Sequence, residues 1–307
     1  MTTKTRASMK TAILFPGQGS QTVGMARDHM ETDDQMRTLF EQAKEIVGFD
    51  LTRLMFEGPA ETLMQTQYTQ PAIYLHSYAL YRSLAERGTI RGDVMAGHSL
   101  GEITALAAAS VLTFEDGLRL VAKRGSLMQK AGEEREGAMA AIIGMTAEAV
   151  RQICSEASGQ TGLIVVPAND NSEGQMVISG DPAAVEKAAE LARAAGCRLA
   201  TMIPVSGAFH SPLMEPAKDA FREVLQPVTF ADAKVPVYSN YSATCTTDGE
   251  RLKENLLLQL TNPVRWRETL LDMSGQGVSE FIEVGPGSVL KGLVKRTVKS
   301  AEISVFN

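Results

Sequence analysis

Apolar positions along the chain follow two alternating rhythms. Ala12-Ile13-Leu14-Phe15 and Val94-Met95-Ala96 are brief continuous runs, which predict short strands buried on both faces. Residues 25–47, 72–87, Leu100–Ser110 and Glu115–Ala131 repeat apolar side chains at helical spacing. Pro16-Gly17-Gln18-Gly19-Ser20, after the first strand, reads as a turn. From 137 to 205 the rhythm changes. Gly137–Met145, Leu163–Val166, Gln175–Ser179 and Arg198–Val205 read as strands, and Ala147–Ala157 and Pro182–Ala195 as helices. That order, β-α-β-β-α-β, is the ferredoxin-like α+β pattern. Within it Asn169-Asp170-Asn171-Ser172 reads as turn chemistry. Beyond Ser206, strand-like Val235–Ser239 and Phe281–Val284 alternate with helical 250–260 and 265–276. The expectation is an α/β fold: a large domain (9–131 and 206–307) built on a mainly parallel sheet, with a small α+β domain (132–205) inserted.

Composition narrows the function classes. The chain has 307 residues, 44% of them apolar, enough for two packed units and too apolar for disorder as the main state. The net charge of −6 argues against a nucleic-acid binder, which needs a basic footprint. Three cysteines, Cys154, Cys197 and Cys245, are widely spaced and form no CxxC, so neither a disulfide scaffold nor a structural zinc site is expected. A reducing cytoplasm is the expected setting. No run reaches the ~18 apolar residues of a membrane span, and Thr11 to Phe15 is too short for a signal-peptide core. Residues 1–8 read as a leader, with Met9 as an alternative start.

Gly97-His98-Ser99-Leu100-Gly101 is a G-x-S-x-G motif between a strand and a small-residue helix. That context suits a strained turn that presents a serine nucleophile, with helix N–H groups aimed at a developing oxyanion. The bare pattern is short, and a structural turn is the competing reading. A serine nucleophile needs a base, most often histidine, and the chain has four. His29 and His76 lie within helical patterns, and the His98 side chain should point away from its neighbour Ser99. His210, in the loop Gly207-Ala208-Phe209-His210-Ser211-Pro212, is left as the candidate base, against the plainer reading of a capping histidine. No acid between Ser99 and His210 stands out as a third triad member, so a Ser–His dyad oriented by a backbone carbonyl is expected.

In helix 115–131, Leu120, Val121, Leu127 and Met128 form an apolar stripe, and Arg124 falls in its middle. A guanidinium there snorkels out, pairs with a carboxylate of the protein, or waits for the carboxylate of a substrate. Gly17-x-Gly19 follows a strand, yet the next glycine is Gly24, so the dinucleotide fingerprint fails. Neither a GxxxxGK[ST] loop nor HExxH occurs, and no cofactor or metal is expected.

Six segments in order resemble the malonyl-CoA:acyl carrier protein transacylase family. They are Phe15-Pro16-Gly17-Gln18-Gly19-Ser20-Gln21, Thr69-Gln70-Pro71-Ala72, Gly97-His98-Ser99-Leu100-Gly101-Glu102, Arg124-Gly125, Gly207-Ala208-Phe209-His210-Ser211 and Ile282-Glu283-Val284-Gly285-Pro286-Gly287. The resemblance spans about residues 10–300. It implies a hydrolase-like α/β domain with a ferredoxin-like insertion. It further implies Ser99 as the acylated nucleophile and His210 as its base. The Gln18 and Leu100 amides would form the oxyanion hole. Arg124 would hold the malonyl carboxylate, with Gln70 and Phe209 also binding substrate. The Gln259 main-chain carbonyl would orient the histidine. The implied substrate is malonyl-CoA. The implied partner is an acyl carrier protein, whose phosphopantetheine arm is the only prosthetic group involved. Since carrier proteins are usually acidic, Lys291, Lys295, Arg296 and Lys299, with Arg265 and Arg267, are candidates for docking it. Two rival readings stay open: an acyl-thioester hydrolase using the same Ser–His pair, and an inactive carrier-binding subunit.

Overall fold

The computed structural model describes residues 10–307; the leader reading for residues 1–8 and the alternative start at Met9 lie outside them. Its strands are β1 (Lys10–Phe15), β2 (Val94–Gly97), β3 (Ala138–Ile143), β4 (Val165–Ser172), β5 (Gln175–Gly180), β6 (Leu199–Ile203), β7 (Val237–Tyr238), β8 (Cys245–Thr246), β9 (Val278–Val284) and β10 (Glu302–Phe306). The larger sheet runs β10-β9-β1-β2-β7-β8. Its pairings are parallel except for the short β7–β8 hairpin. Ala12 to Phe15 are wholly buried, and alternate residues feed different cores. Ile13 and Phe15 pack with Tyr74, Leu75 and Leu106, whereas Ala12 and Leu14 pack with Trp266, Leu270 and Leu290. A sheet covered by helices on both faces produces this two-sided burial.

The second sheet, β4-β5-β3-β6, is antiparallel throughout. Together with helices Ala147–Thr161 and Pro182–Ala194 it has the ferredoxin-like order. Ala140 and Ile142 of β3 point into this unit's own core with Val150, Val185 and Ala188. Met139 and Ala141, alternate to them, point the other way, into a cavity shared with the large sheet. A backbone bridge joins the two units: Asp170 N–H donates to Val264 O (2.9 Å) and Val264 N–H to Ala168 O (2.8 Å).

Several elements depart from the sequence reading. The helix expected over 25–47 is two, Arg27–Thr32 and Asp34–Val47. Asp33 breaks them apart, its extended backbone letting the carboxylate cap the second through the Gln35 and Met36 amides. The helix expected from residue 72 starts at Thr66, and Pro71 lies inside it. Asn169–Ser172 is not a turn but the end of β4, with register shifts between Pro167 and Asn169 and between Asp170 and Ser172. These polar residues are buried because they meet partners across the junction: Asn171 meets His98, and Asp170 meets Arg267. The turn itself falls at Glu173-Gly174, where Gly174 has φ +71°. The expected strand Val235–Ser239 shrinks to the two residues of β7.

Candidate active site

The site lies where the carboxyl ends of β1 and β2 face the inserted sheet. Ser99 lies two residues past the end of β2 and adopts φ +54°. This left-handed turn is possible only because its neighbours lack side chains. A Cβ on Gly97 would collide with the Gly101 carbonyl, and one on Gly101 with the Phe15 carbonyl. The turn is clamped by Asn240, just beyond β7. Asn240 Oδ1 accepts from the Ser99 amide (2.7 Å), and Nδ2 donates to Gly97 O (2.8 Å).

His210 also sits at positive φ (+57°) and is almost wholly buried. Its Nδ1 lies 2.8 Å from Gln259 O. A carbonyl only accepts, so Nδ1 carries the proton and Nε2 presents its lone pair to the Ser99 hydroxyl at 2.8 Å. Burial first, and the Arg124 charge second, push the His210 imidazole down to about 3, so it is neutral at neutral pH. No acid is needed to set the tautomer.

Arg124 is fully buried. Nη1 donates to Gln70 Oε1 (2.8 Å); Nη2 donates to Gln259 Oε1 (2.8 Å) and Ser99 Oγ (3.1 Å). Among the described residues Nε has no partner. Burial lowers the guanidinium to about 10, still cationic at neutral pH. The structure thus meets the sequence anomaly with amides and the nucleophile as partners, not with a carboxylate in direct contact.

Gln259 connects every part of this site. Its main chain orients His210, and its side-chain oxygen accepts from Arg124. Its side-chain nitrogen donates to Ser99 O (3.0 Å) and to Glu102 Oε2 (2.8 Å). The cavity of about 280 Å³ is lined by Ser99, His210, Arg124, Gln70, Phe209 and the Gln18 and Leu100 segments. Among the described residues neither the Gln18 nor the Leu100 backbone N–H donates to another group. His98 does turn away from the nucleophile: Nε2 donates to Asn171 Oδ1 (2.8 Å), and the ring meets Trp266 edge-on.

Asn240 went unnoticed in the sequence, and Glu102 stood there only as the last residue of a matched segment, without a role, although both are buried at the site. An asparagine after a strand resembles a turn residue, and an acid in a helix's first turn resembles a dipole partner. Two candidate docking cations are already engaged. Arg267 forms a three-bond pair with Asp170 (2.8–3.0 Å), and Arg265 pairs with Glu268. Lys295, Arg296 and Lys299 are exposed, on or just beyond helix Val289–Thr297, whose Val289, Leu290 and Leu293 line the cavity. Among the described residues no group of three or more His, Cys, Asp or Glu side chains is arranged to hold a metal, and no helix is long and apolar enough to cross a membrane.

A parallel sheet carrying this serine elbow, roofed by an antiparallel insert, defines an α/β acyl transferase, and the model of the acyl transferase domain family matches residues 13–306. The malonyl CoA-acyl carrier protein transacylase of Escherichia coli K12 is 45% identical over 96% of this chain and 95% of its own. An acyl carrier protein S-malonyltransferase from Vibrio cholerae superimposes with a TM-score of 0.93 at 44% identity, covering 97% of each chain. A malonyl-transacylase solved in complex with a type II polyketide-synthase acyl carrier protein has a TM-score of 0.93 at 41% identity, over 97% of this chain and 96% of its own. The chain belongs to the malonyl-CoA:acyl carrier protein transacylase family.

Proposed function

We propose that this chain moves malonyl from malonyl-CoA to the phosphopantetheine thiol of an acyl carrier protein, for fatty-acid or polyketide synthesis, through a malonyl ester on Ser99. The observation that carries the reading is a hydroxyl held 2.8 Å from a neutral imidazole and 3.1 Å from a buried guanidinium. His210 Nε2 takes the Ser99 proton as Oγ attacks the thioester carbonyl. The Gln18 and Leu100 amides receive the oxyanion, an arrangement worth a few kcal/mol per donor in comparable sites. His210 returns the proton to the departing CoA sulfur. The carrier thiol then enters, His210 deprotonates it, and the ester carbonyl passes to sulfur. Arg124, steadied by Gln70, holds the malonyl carboxylate, and Phe209 closes the acyl pocket. No resident cofactor takes part. The domains are 9–131 with 206–307, and 132–205. The setting we infer is the cytoplasm.

The test is to mix protein with malonyl-CoA, quench, and weigh the intact chain. One malonyl adduct is expected on the native protein, none on Ser99→Ala, little from acetyl-CoA, and discharge on adding carrier protein. Steady malonate release without an adduct would instead favour a hydrolase. No adduct and no turnover would leave an inactive carrier-binding subunit.

A further inference from the structure

Glu102 is a buried carboxylate that the transfer itself does not use. It is fully inaccessible, on helix Gly101–Ala108 directly behind the nucleophile. Oε2 accepts from the Asn240 amide (2.9 Å) and from Gln259 Nε2 (2.8 Å). Oε1 has no partner among the described residues. The Gln259 side chain therefore stands between two buried charges, its oxygen on Arg124 and its nitrogen on Glu102. Both side chains are fully buried, and among the described residues neither meets an opposite charge directly. Each is tolerable mainly because the other lies one amide away.

Malonyl binding changes that balance. The incoming carboxylate brings a second anion to a site where one cation and one anion offset each other. A dry cavity does not hold a surplus charge cheaply, and buried groups relieve it by exchanging protons. Glu102 is the group placed to do so. We propose that ionised Glu102 is the counter-charge of the vacant malonyl site and becomes protonated from solvent as the malonyl–Ser99 ester forms. The proposal rests on the malonyl-ester reading above. The balance is simple: the serine proton leaves on the CoA thiol, so acyl transfer consumes none. The added proton converts the Glu102 carboxylate to the acid, with Oε1 the free atom to receive it.

The charge acting on Glu102 is Arg124, from helix Phe114–Glu134. His210, on the far side of Gln259, is neutral. Helix Gly249–Gln259 presents a side-chain amide to it, and the segment after β7 presents the Asn240 backbone N–H and the Ser239 hydroxyl. Burial already raises this carboxyl to about 7, against the pull of the Asn240, Gln259 and Ser239 donors and of Arg124. When Arg124 turns to a ligand carboxylate its hold on Glu102 weakens, and the carboxyl rises further. Glu102 acts through Gln259 and Arg124, as a positioning and charge-balancing residue.

The experiment acylates concentrated protein with malonyl-CoA in weak buffer, reading proton uptake with an indicator dye and the adduct by mass on one sample. A carboxyl near 7 in the vacant site gives uptake of about half a proton per adduct at pH 7 and almost none at pH 5. Glu102→Gln retains an oxygen for the Gln259 amide and should form its adduct without uptake. Adduct without uptake in the native protein overturns the proposal and leaves the malonyl-ester reading intact. Uptake that persists in Glu102→Gln also overturns it and moves the proton to another group. Absence of the adduct overturns the malonyl-ester reading itself. Should Glu102→Gln fail to fold, infrared difference spectra of the native protein decide. A deuterium-sensitive carboxylic-acid stretch appearing with the adduct supports the proposal, and its absence refutes it.

Discussion

Arg124→Ala separates the chemistry of acyl transfer from the choice of acyl group. Arg124 makes no contact with His210 among its hydrogen bonds; it touches Ser99 Oγ and the amides of Gln70 and Gln259. Two charge-assisted hydrogen bonds to a malonyl carboxylate are worth about 3–6 kcal/mol together, at about 1.5–3 each. Part of that is offset, because the vacant guanidinium gives up its 3.1 Å bond to Ser99 Oγ when the ligand arrives. The lower end is therefore the better figure, a loss of about 100-fold in kcat/KM for malonyl-CoA. The acetyl group has no carboxylate, so its transfer should change by less than about tenfold. The assay measures rates of adduct formation from both thioesters on native and variant protein. Their ratio is the decisive quantity, because partial unfolding lowers both rates together. Equal losses for malonyl and acetyl would show that the guanidinium serves the serine or the fold, and the clamp reasoning would be wrong.

Three further outcomes are expected. His76 is pushed down to about 3 chiefly by burial and secondarily by His29, and His210 likewise by burial and Arg124, so both are neutral when folded. The unfolded chain binds more protons than the native one between about pH 6.5 and 3, so stability is lost as pH is lowered through that window. The slope is about 1.4 kcal/mol per pH unit for each histidine, and urea midpoints at pH 7 and 5 should show His76→Leu less acid-sensitive than the native protein; an unchanged slope would exclude His76 as a source. Asn240→Ala leaves the Ser99 amide and Gly97 carbonyl unpaired, at about 2–4 kcal/mol, and should slow malonyl-adduct formation as well as lower the melting temperature; a stable, fully active variant would show that the elbow holds itself. Charge reversal at Lys295, Arg296 and Lys299 should raise the KM for carrier protein while self-acylation from malonyl-CoA persists; loss of both together would indicate misfolding.

Much of the site was readable because its chemistry breaks local rules. Arg124 interrupts an apolar stripe, and Ser99 is flanked by glycines that backbone crowding demands. His210 was found by elimination, as the one histidine outside a helix and not beside the serine. Asn240 and Glu102 break no local rule, and their importance comes from burial against residues over 130 positions away. Asn169–Ser172 misled for the same reason: polarity suggested exposure, but the partners lie on the other unit. The helical split at Asp33 went unseen because apolar spacing runs through it, while the cap that breaks it depends on one side chain. Strand β10 joins β9 as a parallel edge, a pairing set by tertiary position.

The cavity has two makers. The large sheet and its helices carry Ser99, His210, Arg124 and Gln70, while Met139, Ala141, Asn171, Gln175, Val177 and Ile203 come from the insert. The insert contributes none of the reacting atoms and stands on a hydrophobic core of its own. The roof thus shapes the space around the acyl group, while Arg124, Gln70 and Phe209, proposed to grip it, share the large unit with the nucleophile. Changes to the facing wall of β3, β5 and β6 alter the space offered to the acyl group and leave the elbow, the imidazole and its carbonyl undisturbed. A lineage, or a laboratory, reshapes the room around the acyl group by exchanging the roof, but changing which acyl group is gripped means rebuilding at the hearth.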